Sequence, residues 1–360
     1  MDQIPDGQGT GRGMKIGRNF DQQENMYVEQ QFTEVVSLIK QSRINAYRMV
    51  NKEMIDLYWN IGAYISTRTA SEGWGKSTVQ QLAQYIQKKE PGIHGFSDKN
   101  LWRMKQFYEC YKDTPKLSPL VRELSWTHNL LIFSRSKTNE EKEFYLLKSI
   151  EEKYTSRELE RQINASLFER FMLDKPKLSA ALRVLPEHIT SIFKDTYVLE
   201  FLDLPENHKE KELKNGIIQN MKKFILELGK DFLFVGEEYR VQVGNTDFYI
   251  DLLFYHRGLQ SLVAFELKSR QFEPENIGKI NFYLEALDRD VKKPHENPSI
   301  GVILCKYKDT EVVEYAMSRH LSPTLVAEYA TLLPDKKLLQ AKLHELYELL
   351  DVAKEIEDEE

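Results

Sequence analysis

Hydrophobic positions recur at two spacings along this chain, and the change from one to the other divides it. From about residue 26 to 67, Val35, Val36, Ile39, Ile44, Tyr47, Met54, Ile55, Tyr58, Ile61 and Ile65 fall three or four apart, the period of an amphipathic helix. After a Gly-containing turn over 71–75, Ser77 reads as an N-cap, with Val79, Leu82, Tyr85 and Ile86 on one helical face and Glu90-Pro91-Gly92 as the stop. Ser97 or Asp98 caps a further helix from about Lys99 to Tyr111. More helix is expected at about 120–134 and 139–150, and from Ser156 to about Phe171. Beyond residue 214 the pattern shifts. Asn215 to Leu228 is helical and Gly229 ends it. Runs near 232–235, 240–243, 248–255, 262–267 and 300–304 read as strands. Several are apolar on both faces, as buried strands are. Helices fall near 277–287 and 310–318, giving an order α-β-β-β-α-β-α.

The predicted fold class is therefore α+β: a mostly helical N-terminal domain followed by an α/β sheet domain with flanking helices. The expected divisions are a disordered leader over 1–22, helices over 23–172, a connector over 173–214 with Pro176, Pro186, Pro205 and the charged run Asn207 to Lys214, the sheet domain over 215–333, and a helix with an acidic tail over 334–360. A helix pair joined by a Gly-containing turn leaves a helix-turn-helix open in the N-terminal domain. Leu339, Leu343, Leu346 and Leu350 form a heptad-like stripe, a packing surface or the seam of a homodimer through the C-terminal helix.

Charge changes this picture only in its distribution. Net charge is −6, but residues 21–190 carry 25 basic and 22 acidic groups while 191–360 carry 22 and 32. The N-terminal half is the more plausible phosphate-facing surface. The acidic excess in the other half is compatible with a bound cation, which reverses the local sign. Two cysteines, Cys110 and Cys305, have no metal-ligand spacing and argue against a disulfide framework. With no apolar run of membrane-spanning length and no signal-like leader, a cytoplasmic protein without membrane contact is expected.

The chemistry gathers in two adjacent strands. Asp251 lies within Phe248-Tyr249-Ile250-Asp251-Leu252-Leu253-Phe254-Tyr255, where a carboxylate is costly unless it is paired or holds a metal. Glu266 and Lys268 end the run Leu262-Val263-Ala264-Phe265-Glu266-Leu267-Lys268 and, two apart, share a face. If the intervening turn centres between Gly258 and Leu259, Asp251 lies directly opposite Glu266, with Cβ atoms about 4.5–5.5 Å apart. Two carboxylates that close repel each other. A divalent cation removes the objection, and oxygen ligands suit Mg²⁺, with Mn²⁺ as a substitute. Lys268 beside them is placed to orient water and to stabilise phosphate charge.

These residues resemble the C-terminal domain of the YhcG-like nucleases, a branch of the PD-(D/E)XK superfamily. The matching words run from Phe234-Val235-Gly236 through Tyr249-Ile250-Asp251-Leu252-Leu253-Phe254-Tyr255-His256 and Phe265-Glu266-Leu267-Lys268. They continue with Gly278-Lys279-Ile280-Asn281-Phe282-Tyr283-Leu284 and Gly301-Val302-Ile303-Leu304-Cys305. Tyr58-Trp59-Asn60-Ile61-Gly62, Gly73-Trp74-Gly75 and Leu124-Ser125-Trp126-Thr127-His128 resemble that family's helical N-terminal domain. The resemblance implies a restriction-endonuclease-like fold and Mg²⁺-dependent hydrolysis of DNA phosphodiesters, with RNA left open. It casts Asp251, Glu266 and Lys268 as catalytic, and Asp251 and Glu266 as metal ligands. Ile250 stands where the motif has proline. Glu227 is the expected further metal ligand from the preceding helix, with Glu237 and Glu238 as rivals. Lys279 and Tyr283 occupy the spacing of a Q-x-x-x-Y helix motif, with lysine in place of glutamine, and are expected at the nucleic acid.

Other signals are weaker. Gly73-Trp74-Gly75-Lys76-Ser77 hints at a P-loop, but Ala70 replaces the first glycine and a helix, not a strand, precedes it. A turn that starts the next helix is the better reading, with Lys76 able to reach a phosphate. Arg103 and Lys105, with Trp102, could contact nucleic acid, although a solvated or packed helix face is favoured. The competing function is a non-catalytic nucleic-acid-binding or assembly protein that keeps the fold and its ion pairs.

Overall fold

The three-and-four spacing does produce long helices, and they pack around aromatic side chains. The computed structural model describes residues 14–173, 179, 182 and 192–357. Most of the expected leader, most of 174–191 and the last three residues of the tail lie outside the described residues. Two compact units divide at Leu130 and Leu131.

In the first unit, α1 (Met14–Glu72) is followed by α2 (Lys76–Lys89), α3 (Asp98–Tyr111), α4 (Ser118–Glu123) and the start of α5 (Trp126–Arg135). Helix α1 already runs through the second half of the expected leader. Its later turns bury Tyr58 and Ile65 against Val79, Leu101 and Met104. Ser97 caps α3 by accepting the Asn100 N–H, as expected. Ser77 is not a cap: α2 begins at Lys76, with Gly75 at the N-cap. The Gly-containing turn from α1 to α2 is residues 73–75, the length of a helix-turn-helix turn, whereas the connection from α2 to α3 spans residues 90–97. At Gly62, α1 lies directly against the backbone of α3. A Cβ there would meet the Met104 carbonyl oxygen at 2.2 Å and its carbon at 2.7 Å. Because the obstacle is backbone, Gly62→Ala is expected to destabilise this unit by about 3 kcal/mol, the upper end for overpacking. Urea unfolding read by tryptophan fluorescence checks this.

The second unit begins with helices. α6 (Asn139–Glu152), α7 (Ser156–Asn164) and α8 (Leu167–Leu173) precede β1 (Thr196–Val198), α9 (Glu210–Gln219) and α10 (Met221–Leu228). Then come β2 (Phe232–Val243), β3 (Thr246–His256), β4 (Ser261–Gln271), α11 (Glu275–Ala286), β5 (Ile300–Tyr307), α12 (Thr310–Met317), β6 (Thr324–Ala330) and α13 (Lys336–Glu357). The strands form one sheet in the order β1-β6-β5-β4-β3-β2. β2, β3 and β4 are an antiparallel meander, and β4, β5, β6 and β1 run parallel. Helices α9 and α10 cover one face through Leu213, Ile217, Phe224 and Leu228, packed on Leu252, Phe254, Val263 and Phe265. Helices α11 and α12 cover the other through Ile280, Leu284 and Val313, packed on Leu253, Ala264 and Ile303. Burial on both faces explains the continuous apolar runs of β4 and β5.

By their contacts the helices over 139–173, expected as part of the helical N-terminal domain, group with the sheet. Arg161 of α7 bonds Glu227 of α10 and the Val198 carbonyl of β1. The stretch 173–214 is more than a connector, since it supplies β1 and the start of α9. Helix α13 packs within its own chain. Lys336 pairs with Glu141 and Glu169, Gln340 bonds Glu169, and Leu343 is buried. Part of the stripe considered as a dimer seam is thus used internally.

Candidate active site

Alternation in β3 and β4, combined with a turn at Arg257 to Gln260, sets the register on which the site depends. Leu252 pairs with Phe265, Leu253 with Ala264 and His256 with Ser261, the register expected from the sequence. The ladder stops at Leu252 and Phe265, while β4 stays paired with β5 as far as Lys268 and Cys305. In the gap where β3 leaves β4, Asp251 Oδ2 accepts the Leu267 N–H at 2.9 Å. The carboxylate thereby satisfies a donor that the parting strands would leave unpaired.

Glu266 is fully buried, 0% exposed, on the face of β4 that α11 covers. Its Oε1 accepts from Lys268 Nζ at 2.8 Å and from Lys279 Nζ of α11 at 2.6 Å. Its Oε2 is buried without a hydrogen-bond partner, a costly state for an ionised oxygen. Lys268 also lies 3.7 Å from Glu210 Oε1 at the start of α9. Burial and the neighbouring Glu266 push Asp251 above its ordinary value, against the Leu267 N–H, Lys279 and Lys214. Burial works to lower the Lys279 ammonium, but Glu266 outweighs it and holds it above its ordinary value. Tyr283 packs in the core and donates from its hydroxyl to the Tyr249 carbonyl at 2.8 Å. It ties α11 to the stretch of β3 that has parted from β4 and carries Asp251.

Asp251, Glu266, Lys268, Lys279 and Tyr283 therefore converge. Glu227 does not join them. It is 0% exposed on α10, with Oε2 on Arg161 and Gln162 and Oε1 on Val198 N–H, Lys194 and, at 3.5 Å, Arg170. Its helix turns that face toward α7 and β1, so both oxygens are spent elsewhere. Of the rivals, Glu238 pairs with Lys214 at 2.5 Å. Glu210 and Lys214 of α9 are the residues that sequence reasoning missed. They lie in the charged run taken for a connector, where only Glu212, which accepts the Lys209 N–H, marks a helix start. In the first unit, Lys76 and Arg103 are exposed and Lys105 pairs with Glu109 on its own helix.

The residues fit a hard divalent cation. Among the described residues no set of three or more His, Cys, Asp and Glu side chains converges as a complete cage. Mg²⁺, however, is usually held by one or two carboxylates and its own waters. Glu266 Oε2 is an acceptor lacking a partner, and burial, with Glu266 beside it, raises the Asp251 carboxyl, a cost that a bound cation offsets.

A meander continued by parallel strands, helices on both faces, and an Asp and an E-x-K where two central strands part form the arrangement expected of the PD-(D/E)XK class. Residues 190–344 match the YhcG PDDEXK nuclease domain and residues 34–170 the DUF1016 N-terminal domain. The chain is 29% identical over 349 residues to "Putative nuclease YhcG" of Escherichia coli (strain K12), covering 86% of this chain and 92% of that one. Among solved structures, a repair endonuclease from Pyrococcus abyssi overlaps at a TM-score of 0.25 and 16% identity, over 36% of this chain and 48% of that one. A complex of EndoMS with DNA overlaps at 0.22 and 17%, over 33% and 45%. No helix among the described residues is long and apolar enough to cross a membrane.

Proposed function

We propose that the chain is a divalent-metal-dependent nuclease that hydrolyses DNA phosphodiester bonds at Asp251, Glu266 and Lys268. The observation that carries this is the buried Glu266 beside Asp251, one oxygen held by two lysines and the other without a partner. A structural ion-pair network would use both oxygens, as Glu227 does. Asp251 and Glu266 would hold Mg²⁺, or Mn²⁺ in its place, and the bound ion supplies charge for an attacking water and for the phosphate. Leu267 N–H fixes the Asp251 carboxylate. Lys268, whose side chain is 18% exposed, keeps its ammonium at the mouth of the site to position water and offset phosphate charge. Lys279 and Lys214 flank the two carboxylates on opposite sides and would grip backbone phosphates, as Lys76 and Arg103 of the first unit would from their exposed positions.

The test is cleavage of supercoiled, linear and branched DNA, and of RNA, by the purified full chain with Mg²⁺, Mn²⁺ or EDTA. Cleavage requiring the cation and lost in Lys268→Ala supports the reading. Cleavage that survives EDTA or that substitution belongs to a contaminant and defeats it. Lys279 stands where related nucleases carry glutamine. Because it is half exposed and acts beside the carboxylates, Lys279→Gln is expected to lower the cleavage rate by only about tenfold, less than the loss of a buried charge-stabilising donor. Single-turnover rates on one duplex check that.

A further inference from the structure

The outer face of α2 carries chemistry that the packing of the first unit does not use. Val79 is buried, and Leu82, Ala83 and Ile86 pack with it on the cluster of Tyr58, Ile65, Leu101 and Met104. Helical spacing then gathers Ser77, Gln80, Gln81, Gln84 and Lys88 on the opposite side, and all five are exposed. A solvated helix face commonly mixes acid with base at spacings of three and four. α1 and α3 do so, through Arg68–Glu72 and Lys105–Glu109. α2 does not. Its 14 residues hold four glutamines, three lysines and no acid. The acids nearest in sequence stand outside it: Glu72, paired with Arg68, and Glu90 at the C-cap.

A short, fixed turn leads into this helix. Gly73 takes a φ of +68°. Trp74 packs edge-on against Tyr64 at 5.9 Å and donates its backbone N–H to the Arg68 carbonyl at 3.4 Å. A helix, a three-residue glycine turn and a second helix is the connection that presents the second helix to a DNA major groove. Charge and hydrogen bonding favour that partner. An acid-free face with lysine at each end complements the phosphates that border a groove. A glutamine amide donates and accepts at once, so it matches the N6 and N7 edge of adenine with two hydrogen bonds. A protein partner is disfavoured, because Tyr85, 61% exposed, is the one large apolar side chain on the outside of α2 and the face lacks an apolar centre.

We propose that α2 is a base-reading helix. It lies in the major groove of duplex DNA, with Gln80, Gln81 and Gln84 on base edges, adenine foremost, and Lys76 and Lys88 on phosphates. This deepens the reading of the chain as a DNA-cleaving protein and rests on DNA as its partner, but not on the site at Asp251 and Glu266. Its consequence is a preferred sequence.

The experiment is selection of duplexes from a random pool by the full chain in EDTA, followed by anisotropy titration of the selected duplex and a shuffled one. An enriched site with adenine at fixed positions is expected, bound at least tenfold tighter than the shuffled duplex. Gln81→Ala and Gln84→Ala are each expected to weaken the selected duplex about tenfold and to leave the shuffled one within twofold. Both positions are exposed, and alanine is the better helix former, so the variants should fold. Lys88→Ala is expected to weaken both duplexes alike and to lower the salt slope by about one. Lys268→Ala, which tests the nuclease reading, is expected to leave the selected sequence unchanged. An unenriched pool overturns the proposal. So does a preference that survives replacement of Gln80, Gln81 and Gln84 together by alanine, or one lost with Lys268 instead. Equal affinity for an RNA duplex of the same sequence also overturns it, since side chains cannot read the narrow major groove of RNA.

Discussion

Asp251→Asn and Glu266→Gln are each expected to reduce metal-dependent cleavage by about 10³-fold or more, while leaving the metal-free protein folded. The size follows from losing both the cation and the charge it places on the reacting phosphate, each an effect of several kcal/mol on a barrier. The fold survives because both changes preserve shape. An asparagine carbonyl oxygen can still accept the Leu267 N–H that Asp251 holds at 2.9 Å, and a glutamine oxygen can still accept from Lys268 and Lys279. In the absence of metal, Asp251→Asn is expected to melt slightly higher than wild type, because burial and Glu266 both disfavour the Asp251 charge. Mn²⁺ separates the two states. Wild type is expected to gain thermal stability with added Mn²⁺, since an ion that binds only the folded chain stabilises it by mass action. Both variants are expected to lose most of that gain. A variant that cleaves DNA at the wild-type rate would remove the carboxylate from the chemistry, and an unchanged Mn²⁺ response would remove it from the metal site.

How much of this was legible in the sequence depended on the range of the interactions involved. Strand alternation has a period of two and the turn fixes its phase, so the register of β3 on β4, with Leu252 opposite Phe265, followed from counting. The same local patterns gave the cap at Ser97 and the strands β2 to β5. Glu227 could not be placed this way. Helix periodicity says which residues share a face but not which neighbour covers it, and the partners of Glu227 lie 66, 65, 33 and 29 residues away in sequence. Those long-range bonds also tie α7 to the sheet. Strand β1 has three residues inside a charged and proline-bearing stretch, too short to stand out. Strand β6 did leave a signal, the apolar run Leu325 to Ala327 after Pro323, and the parallel order explains why it was needed: without it β5 would be an exposed edge. Glu210 and Lys214 were hidden by composition, because a dense charged run resembles a solvated linker until tertiary contacts show it bordering the site.

Glu227→Ala is expected to destabilise the sheet unit by about 3–5 kcal/mol, the usual cost of removing one partner from a buried ion cluster. Arg161, Arg170 and Lys194 converge on this carboxylate, and Gln162 and the Val198 N–H complete it. Its removal would strand buried positive charge as well as a backbone donor. Burial works to raise the carboxyl, but Lys194, Arg170 and Arg161 outweigh it and hold it at about 2, against an ordinary 4.5. A carboxyl depressed by folding contributes its full stability above its unfolded value and loses it as pH falls toward the folded one. Wild type is therefore expected to lose stability between about pH 4.5 and 2, and Glu227→Gln to show a flatter dependence across that window, measured by urea unfolding at a series of pH values. Activity distinguishes this structural role from a metal ligand. At a temperature where Glu227→Gln remains folded, its cleavage rate and Mn²⁺ response should equal those of wild type, because none of its bonds reaches the Asp251 and Glu266 pair. A loss of Mn²⁺ binding in the folded variant, with its pH dependence unchanged, would return Glu227 to the metal site and require α10 to turn its buried face toward β4.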